Sequence, residues 1–451
     1  MNIPKKSTLS QTSPYSKLGL RELPFPSEPV VDPYNKDPRR NGAIYAASPV
    51  RDQIEKFERL LVRPDDFPNR ARLAYLWSKG DQERGRGMGK TALLRYFQHR
   101  INTDWGENEF SGRFSAVVVY VAFPSQVDRR YMEQLALSAL EDICKSGVLR
   151  ASRAALRFYA LTEEQATAIT SNSDGSVSLE NVLEDAVLQT NSVSPMSLDE
   201  EVEKQLKDGG VQPSVAKALA KGEFESYLRS FRKDGNLRPF YVPHDTKILE
   251  YSRTLLFDDI VEYLRAAGFA GGYLFIDDIE NLVDQMTRKH RIEFAKEFGL
   301  CTIRPGYANT THNFFSCVLT THQQASVGLS QAWADAGLSA VARLDPTSPN
   351  SVELPLPSED QAREIIVAHL DFYRIDESEK GTVKPFTEDG INMLLKNRQN
   401  PRVLLSNAAT VLSYAVQEGI TAIDEDAVKS AMDSLALPTV PDFTEGIEGA
   451  L

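Results

Sequence analysis

Cysteine and histidine are scarce, since the 451-residue chain contains only three cysteines and six histidines. Cys144, Cys301 and Cys317 show neither C-x-x-C spacing nor an accompanying histidine cluster. A disulfide framework or a zinc site requires such spacing, so the sequence supports neither. The three thiols are expected to behave as small buried hydrophobes.

Long apolar runs are lacking as well. No stretch approaches the roughly 18 uninterrupted apolar residues that a membrane-spanning helix needs. The N-terminal segment MNIPKKSTLSQTSPYSK has no apolar core of the kind found in signal peptides. These absences predict a soluble, cytoplasmic protein without membrane insertion.

An excess of positive charge is also absent. The chain carries 51 Lys and Arg residues against 63 Asp and Glu residues, a net charge of −12. This balance excludes the globally basic surface of a protein that coats nucleic acid, but it permits a local basic groove. The contents of 41% hydrophobic and 25% charged residues are typical of folded globular proteins.

Five short apolar or β-branched runs have the character of buried strands. Helical patterns separate them, and strands that alternate with helices favour a parallel sheet covered on both faces. The sequence therefore predicts an α/β core. The five runs are Leu73–Trp77, Ala116–Phe123, Tyr273–Ile276, Phe314–Thr320 and Val352–Leu356.

The spacing of these runs predicts the domain organisation. About 150 residues separate the second strand from the third, far more than one crossover helix needs, so an inserted segment is expected there. Helical patterns at Ser214–Phe231 and Ile248–Ala267 make that insertion mainly helical, and its first part is acidic. The expected parts are an extended arm at 1–40, the two halves of the core at 41–150 and 266–357, the insertion at 151–265, a helical domain at 358–440 and a tail at 441–451.

The C-terminal part has only helical patterns, and the N-terminal arm has none. Apolar residues of the arm, between Leu18 and Phe25, are expected to cover a surface. Asp424 is a plausible N-cap for the last helix, and Gly419 ends the helix before it. The expected C-terminal helices are Glu359–Tyr373, Thr387–Lys396, Arg402–Glu418 and Asp424–Leu435.

The most informative segment follows the first strand and reads SKGDQERGRGMGKTALLRYF. Backbone N–H groups of a glycine-rich loop can wrap phosphates, and the helix that follows adds its dipole. Lys90 would bind the β- and γ-phosphates, and Thr91 would offer a hydroxyl to Mg²⁺. The strict G-x-x-x-x-G-K-[ST] pattern has glycine where this chain has Arg84, so the loop either starts at Gly85 or extends back to Gly80. A flexible basic turn is the alternative interpretation.

A second segment, Gly272-Tyr-Leu-Phe-Ile-Asp-Asp-Ile-Glu280, is an apolar strand that ends in carboxylates. Asp277 would hold the magnesium water shell beside Thr91, and Asp278 would polarise the attacking water. Glu280 is a further candidate for that second role. In isolation, two acids at a strand end are as often a turn or a helix cap.

Two more segments carry polar groups at similar places. The fourth strand ends in Thr320-Thr321-His322, and either threonine could reach the γ-phosphate or the water. Arg402 begins a helix, where a cation opposes the helix dipole unless it binds an anion. Solvent-facing residues are the alternative interpretation at the strand end.

Together, RGRGMGKT, YLFIDDIE, CVLTTH, PLPSEDQAREIIVAHL and NPRVLL resemble the Walker A, Walker B, sensor 1, lid-entry and sensor 2 segments of AAA+ ATPases. The likeness is to the branch with the origin-recognition, TnsC-like and ExeA-like ATPases. It implies an α/β P-loop NTPase core with a parallel sheet, a helical insertion and a C-terminal helical lid, with ATP and Mg²⁺ as cofactors.

The resemblance also assigns residue roles. Asp277 and Thr91 would bind the metal, and Asp278 would replace the usual catalytic glutamate. Thr320 or Thr321 would be sensor 1, Arg402 sensor 2, and Arg343 an arginine finger that acts in trans in an ATP-dependent homo-oligomer. The arm GLRELPFPSEP and Tyr45 would lie near the adenine. The loop residues in contact with nucleotide would be Gly85, Arg86, Gly87, Met88, Gly89, Lys90, Thr91 and Ala92.

Three functions remain open at this point. The first is an ATP-hydrolysing switch or assembly factor with a protein partner and with DNA as a candidate partner, for which Thr287–Arg291 is the local basic cluster. The second is a STAND-like signalling or defence ATPase that works with a separate effector protein, because this chain has no repeats of its own. The third is a nucleotide-binding scaffold that does not hydrolyse ATP.

Overall fold

The computed structural model describes a large part of the chain, and those residues fall into two compact units. We call residues 52–86 and 90–355 the sheet unit, and residues 1–51, 87–89 and 356–451 the helical unit. The described residues are 13–26, 35–61, 72–78, 87–123, 131–171, 179–233, 254–281, 283, 286–303, 314–396 and 400–436.

The sheet unit contains a five-stranded sheet in the order β2-β3-β4-β1-β5, and all its strand pairs are parallel. This confirms the α/β prediction and the five predicted strands. Every residue of β1 and β4 is buried, which explains why these strands read as continuous apolar runs. The strands are β1 (Leu73–Ser78), β2 (Ser115–Ala122), β3 (Phe269–Asp277), β4 (Phe315–His322) and β5 (Ser351–Leu354).

The sheet order places β4 between β1 and β3, and this brings the ends of three strands together. Ser78, the last residue of β1, pairs with His322, and Ala122 of β2 pairs with Asp277. In a parallel sheet all carboxyl ends lie at one edge, where ligands commonly bind. The polar residues that end β1, β3 and β4 therefore share that edge.

Helices of the sheet unit cover the strands. Phe57 lies with its ring centroid 4.8 Å from that of Phe97 and 6.1 Å from that of Phe275. The helices outside the insertion are α1 (Arg51–Leu61), α2 (Lys90–Asp104) and α3 (Tyr131–Lys145), then Arg288–Thr302 and Gln323–Asp335 later in the chain.

The insertion between α3 and β3 is helical and shares the hydrophobic core of the sheet, to which it adds Val202, Leu206 and Leu219. The predicted stretch Ser214–Phe231 forms two helices, because Gly222 adopts a left-handed φ of +72° between them. In the other predicted stretch, 248–253 lie outside the described residues, and a π-helical segment precedes the final helix. The elements are α4 (Val148–Tyr159), α5 (Glu163–Ser171), α6 (Leu179–Val182), α7 (Asp185–Thr190), α8 (Pro195–Asp208), α9 (Pro213–Ala220), α10 (Phe224–Lys233), the π-helix Leu255–Ile260 and α11 (Val261–Ala266).

With α12 (Arg288–Thr302) and α13 (Gln323–Asp335) completing the sheet unit, the helical unit contributes α14 to α17. The capping residues behave as predicted. The Oδ1 atom of Asp424 accepts from the N–H of Ala427 at 2.9 Å, and Gly419 has φ +69° at the end of the preceding helix. These helices are α14 (Glu359–Tyr373), α15 (Glu388–Leu395), α16 (Pro401–Glu418) and α17 (Glu425–Ala436).

The N-terminal arm covers the core of the helical unit with its apolar residues. Leu18, Leu20 and Phe25 are buried in that core, and Leu20 forms an isolated antiparallel bridge with Arg374. Burial is the expected reason for large apolar residues in an otherwise polar segment. Among the described helices of the whole chain, none has both the length and the apolar character needed to cross a membrane.

Gly390 in α15 gives a test of packing in the helical unit. A Cβ atom there would lie 2.1 Å from the backbone oxygen of Ile423, so Gly390→Ala must displace backbone. We expect the free energy of unfolding to fall by about 1–3 kcal/mol, as in other overpacked cores. Chemical denaturation measures it, with the exposed neighbour Asp389→Ala as the control. Equal stability of Gly390→Ala and the control would contradict this packing.

Candidate nucleotide site

The loop before α2 has the backbone conformations that glycine permits. Gly87 and Gly89 have φ values of +79° and +89°, in the left-handed region that favours glycine. Met88 between them is buried, and α2 begins at Lys90. Of the predicted loop residues, Gly85 and Arg86 lie outside the described residues, as do Gly80 and Arg84.

Gly87 also lacks room for a side chain. Within the helical unit, a Cβ atom on Gly87 would lie 2.8 Å from Oδ1 of Asn400 and 2.9 Å from Cβ of Arg402. The backbone N–H of Arg402 donates to the carbonyl oxygen of Gly87 at 3.3 Å. The start of α16 therefore contacts the glycine loop through backbone, at a position where only glycine fits.

Lys90 places a buried cation at the start of α2. It is 7% exposed, and its Nζ donates to Oγ of Ser78 at 2.8 Å. A buried ammonium group is costly unless acceptors or anions surround it. Sequence reasoning did not single out Ser78. Its position as the last residue of β1, directly before the loop, could have marked it as a partner of Lys90.

Asp277 is the centre of the site. Its side chain is 1% exposed, and its two carboxylate oxygens accept four hydrogen bonds from the protein. Oδ2 accepts from the hydroxyl of Thr91 at 2.5 Å and from that of Tyr120 at 2.7 Å. Oδ1 accepts from the hydroxyl of Thr320 at 2.6 Å and from the N–H of Asp278 at 3.1 Å. The structure thus brings Thr91, Asp277 and Thr320 into direct contact.

The two candidate threonines at the end of β4 differ in their contacts. Successive strand residues point to opposite faces of a sheet. Thr320 contacts Asp277, whereas the hydroxyl of Thr321 donates to the carbonyl of His322 at 3.4 Å. Only Thr320 lies in the Asp277 cluster.

The two other acids after β3 are in different environments. Asp278 is exposed and has φ +57°, a conformation that aspartate tolerates better than most residues. Its N–H also donates to Oγ1 of Thr320 at 3.0 Å, which fixes the backbone after the strand. Glu280 is 2% exposed, and its Oε2 has no hydrogen-bond partner among the residues that the structure describes.

Burial raises the pKa of two groups in the site, Glu280 and Tyr120. Burial raises the pKa of Glu280 to about 7, while the charge of Lys90 opposes the rise and that of Asp278 adds to it. Burial and the charge of Asp277 raise the pKa of Tyr120 well above its ordinary value, so its hydroxyl stays a donor at neutral pH.

The residues present suit a magnesium ion. Mg²⁺ prefers hard oxygen ligands and is usually held by one or two carboxylates together with substrate phosphates. The hydroxyl of Thr91 and the carboxylate of Asp277 are such oxygens in contact, and Lys90, the residue before Thr91, adds a buried ammonium group. Among the described residues, no cluster of three or more His, Cys, Asp or Glu side chains offers another metal site.

The remaining predicted residues lie elsewhere or make other contacts. Ala92 is half-buried in the first turn of α2. Arg343 has a side chain 67% exposed, and its Nε lies 3.7 Å from Oδ2 of Asp345. In the helical unit, Tyr45 is half-buried and Arg402 is exposed. These roles therefore stay predictions.

Tyr120 and Arg95 are further residues that sequence reasoning missed. Tyr120 lies within a buried strand and contacts Asp277, and Arg95 lies within a helix and contacts the ring of Tyr120. Nothing in either local pattern marks these contacts. The alternation of β2 could have shown only which face Tyr120 shares. Its partner becomes apparent when β2 pairs with β3.

The mixed α/β structure with a five-stranded parallel sheet fits the P-loop NTPase fold. No protein-family model matches the chain. A stretch of 90 residues is 32% identical to an uncharacterized HTH-type transcriptional regulator of Methanocaldococcus jannaschii, and it covers 20% of this chain and 22% of that protein. A solved Walker-type ATPase of Pyrococcus abyssi aligns over 90% of this chain and 76% of that chain, with 11% identity and a TM-score of 0.33.

Glu280 predicts a pH-dependent stability. Its pKa rises from an ordinary 4.5 to about 7 on folding, so its favourable contribution is complete below pH 4.5 and is lost as the pH rises through 7. Glutamine stays neutral at every pH. At pH 8 and without nucleotide, the free energy of unfolding of Glu280→Gln should therefore exceed that of the wild type by up to about 3 kcal/mol, as measured by chemical denaturation. The difference should shrink towards pH 5.

The exposed acid Glu107→Gln serves as the control and should show no such pH-dependent gain. A Glu280→Gln variant whose stability relative to the wild type is the same at pH 5 and pH 8 would contradict a raised pKa for this group.

Proposed function

We propose that this protein binds ATP with Mg²⁺ and hydrolyses it, and that it works as an ATP-dependent switch or assembly factor. The supporting observation is the contact of Thr91 with the buried carboxylate of Asp277, in the sheet unit to which the buried cation Lys90 also belongs. The carboxyl edge of the sheet, where β3 ends in Asp277, is where α/β sheets bind nucleotides. Magnesium, when bound, would neutralise phosphate charge and polarise the γ-phosphoryl group.

Each residue has a role that its contacts support. The ammonium of Lys90, which donates to Ser78, would donate a hydrogen bond to a phosphate oxygen when nucleotide binds. Backbone N–H groups at the start of α2 would bind the phosphates. Thr320 donates to Asp277 and accepts from Asp278, so its hydroxyl would link the metal-binding acid to the residue that orients water.

The water-activating acid is either Asp278 or Glu280. Asp278 is exposed and its backbone is fixed by two hydrogen bonds, which suits a group that meets water in an open site. Glu280 is buried with a free Oε2 and a pKa of about 7, which suits a general base. We assign the role to Asp278, and the variants below compare both residues.

Variants of these residues separate binding from turnover. Lys90→Ala removes a hydrogen bond to a charged group, worth about 1.5–3 kcal/mol, and should weaken ATP binding by about tenfold or more. Asp278→Asn should retain ATP binding and lower turnover by about 10²–10⁴, the usual contribution of a positioned base. Isothermal titration and steady-state phosphate release measure the two quantities.

Glu280→Gln belongs in the same series. If it abolishes turnover and Asp278→Asn does not, Glu280 is the base. Binding without turnover by the wild type would contradict the hydrolytic function and favour the nucleotide-binding scaffold.

We further propose that the protein forms an ATP-dependent homo-oligomer in which Arg343 reaches a neighbouring nucleotide. Its side chain is 67% exposed, and its ion pair with Asp345 has a separation of 3.7 Å, which leaves the guanidinium accessible. An arginine supplied in trans stabilises the charge of the transition state and contributes about 10³–10⁵ in rate in known cases. The proposed oligomer would then hydrolyse ATP at the contact between subunits.

Arg343→Ala should lower turnover by at least about tenfold without weakening ATP binding, since its effect lies in the transition state. The exposed Arg288→Ala of the same unit is the matched control. Mixing Arg343→Ala with Asp278→Asn should restore part of the activity, because a mixed contact can pair one intact finger with one intact base. Light scattering with and without ATP records the mass, and a monomer in both states would refute the assembly.

The proposed partners are a protein and DNA. In the cluster Thr287–Arg291, residues 288–290 are exposed, while Arg291 donates to the carbonyl oxygens of Gly328 and Met286. Arg288, Lys289 and His290 therefore offer DNA only a small basic surface, on a chain of net charge −12. ATP turnover measured with duplex DNA at two salt concentrations tests this partner, since phosphate contacts weaken as salt rises. Turnover indifferent to DNA would favour a signalling ATPase that works with a separate effector protein.

A further inference from the structure

The hydrogen-bond shell of Asp277 includes one residue outside the nucleotide-binding segments. Three donors come from the loop helix, the acidic strand end and the end of β4, but the fourth is the hydroxyl of Tyr120 in β2. Tyr120 lies opposite Phe275, two residues before Asp277 on the same face of β3. Its hydroxyl reaches Oδ2 of Asp277 at 2.7 Å.

Tyr120 is itself held in place from three sides. The guanidinium carbon of Arg95 lies 3.2 Å from its ring centroid, a close cation–π contact. Its backbone N–H donates to Oδ2 of Asp142 at 2.9 Å. Gln98 connects these two groups, since it accepts from Arg95 at 2.7 Å and donates to Asp142 at 3.1 Å. The ring is 6% exposed and cannot swing away without breaking this network.

The contacts at Oδ2 determine which way the hydroxyl of Thr91 faces. The hydroxyl of Thr91 donates its hydrogen bond to Oδ2, so its own lone pairs point away from Asp277. A hydroxyl oriented in this way can offer an oxygen lone pair to a cation. Oδ2 accepts from two hydroxyls, those of Thr91 and Tyr120, and these two contacts define its position.

From this arrangement we infer that Tyr120 is a positioning residue for the metal. Its hydroxyl holds Oδ2 of Asp277 where that oxygen accepts the hydrogen bond of Thr91, which would leave the lone pairs of the threonine oxygen available to a Mg²⁺ ion. The inference rests on the proposed nucleotide function. Partners that orient a metal ligand typically change metal affinity by about 10–100-fold when they are removed.

The test is the Mg²⁺ dependence of nucleotide binding, not hydrolysis. Binding of a fluorescent ATP analogue is measured in EDTA and then across a Mg²⁺ titration, for the wild type and Tyr120→Phe. Tyr120→Phe should bind the analogue as the wild type does in EDTA, and should need about tenfold more Mg²⁺ or higher for half of the metal-dependent gain in affinity.

The matched control is Tyr263→Phe. Tyr263 is also fully buried in the sheet unit, but its hydroxyl donates to the carbonyl oxygen of Leu149, in the insertion. This control should leave the Mg²⁺ midpoint unchanged. An unchanged midpoint in Tyr120→Phe, or equal losses with EDTA and with Mg²⁺, would overturn the positioning role.

A second variant covers the case in which Tyr120→Phe does not fold. Arg95→Met removes the cation above the ring and keeps the hydroxyl, so it should raise the Mg²⁺ midpoint by a smaller factor, and no shift would refute the inference. Failure of the proposed function has a different signature, because the wild type itself would then not bind the analogue. Binding by the wild type with no response to Tyr120→Phe would overturn the inference alone.

Discussion

The buried carboxylate of Asp277 is the group on which the arrangement of the site depends. An ionised carboxylate away from water is tolerated only when its oxygens accept hydrogen bonds, and charge-assisted bonds of this kind are the strong ones. The four donors to Asp277 come from α2, β2, the turn after β3 and β4. The positions of these elements are therefore coupled through one side chain, and a shift of any of them would leave a charge unsatisfied.

The order of the parallel strands makes this coupling possible. Because β4 lies between β1 and β3, the end of β4 is beside both Ser78 and Asp277. The alternation of side chains along β4 then sends Thr320 to the cluster and Thr321 to the other face. Strand order and register thus bring side chains from distant parts of the chain together at one edge of the sheet.

Two charged side chains of the site are explained better by function than by fold stability. Lys90 is a buried cation that donates to the neutral hydroxyl of Ser78, and Glu280 is a buried acid whose Oε2 accepts no bond from the described residues. Such groups lower stability unless a ligand or a proton compensates them. Side chains that lower the stability of the fold are typical of ligand-binding sites.

The sequence by itself determined the parallel α/β core and predicted that Thr91 lies beside Asp277, because both depend on local patterns that read along the chain. Apolar runs, the G-K-T segment and the two aspartates suffice for those predictions. Tertiary structure alone decided that Thr320 and not Thr321 contacts Asp277, that Ser78 accepts from Lys90, and that Tyr120 completes the shell. These contacts join residues up to 157 positions apart, as for Tyr120 and Asp277, and depend on strand order and register, which no local pattern encodes.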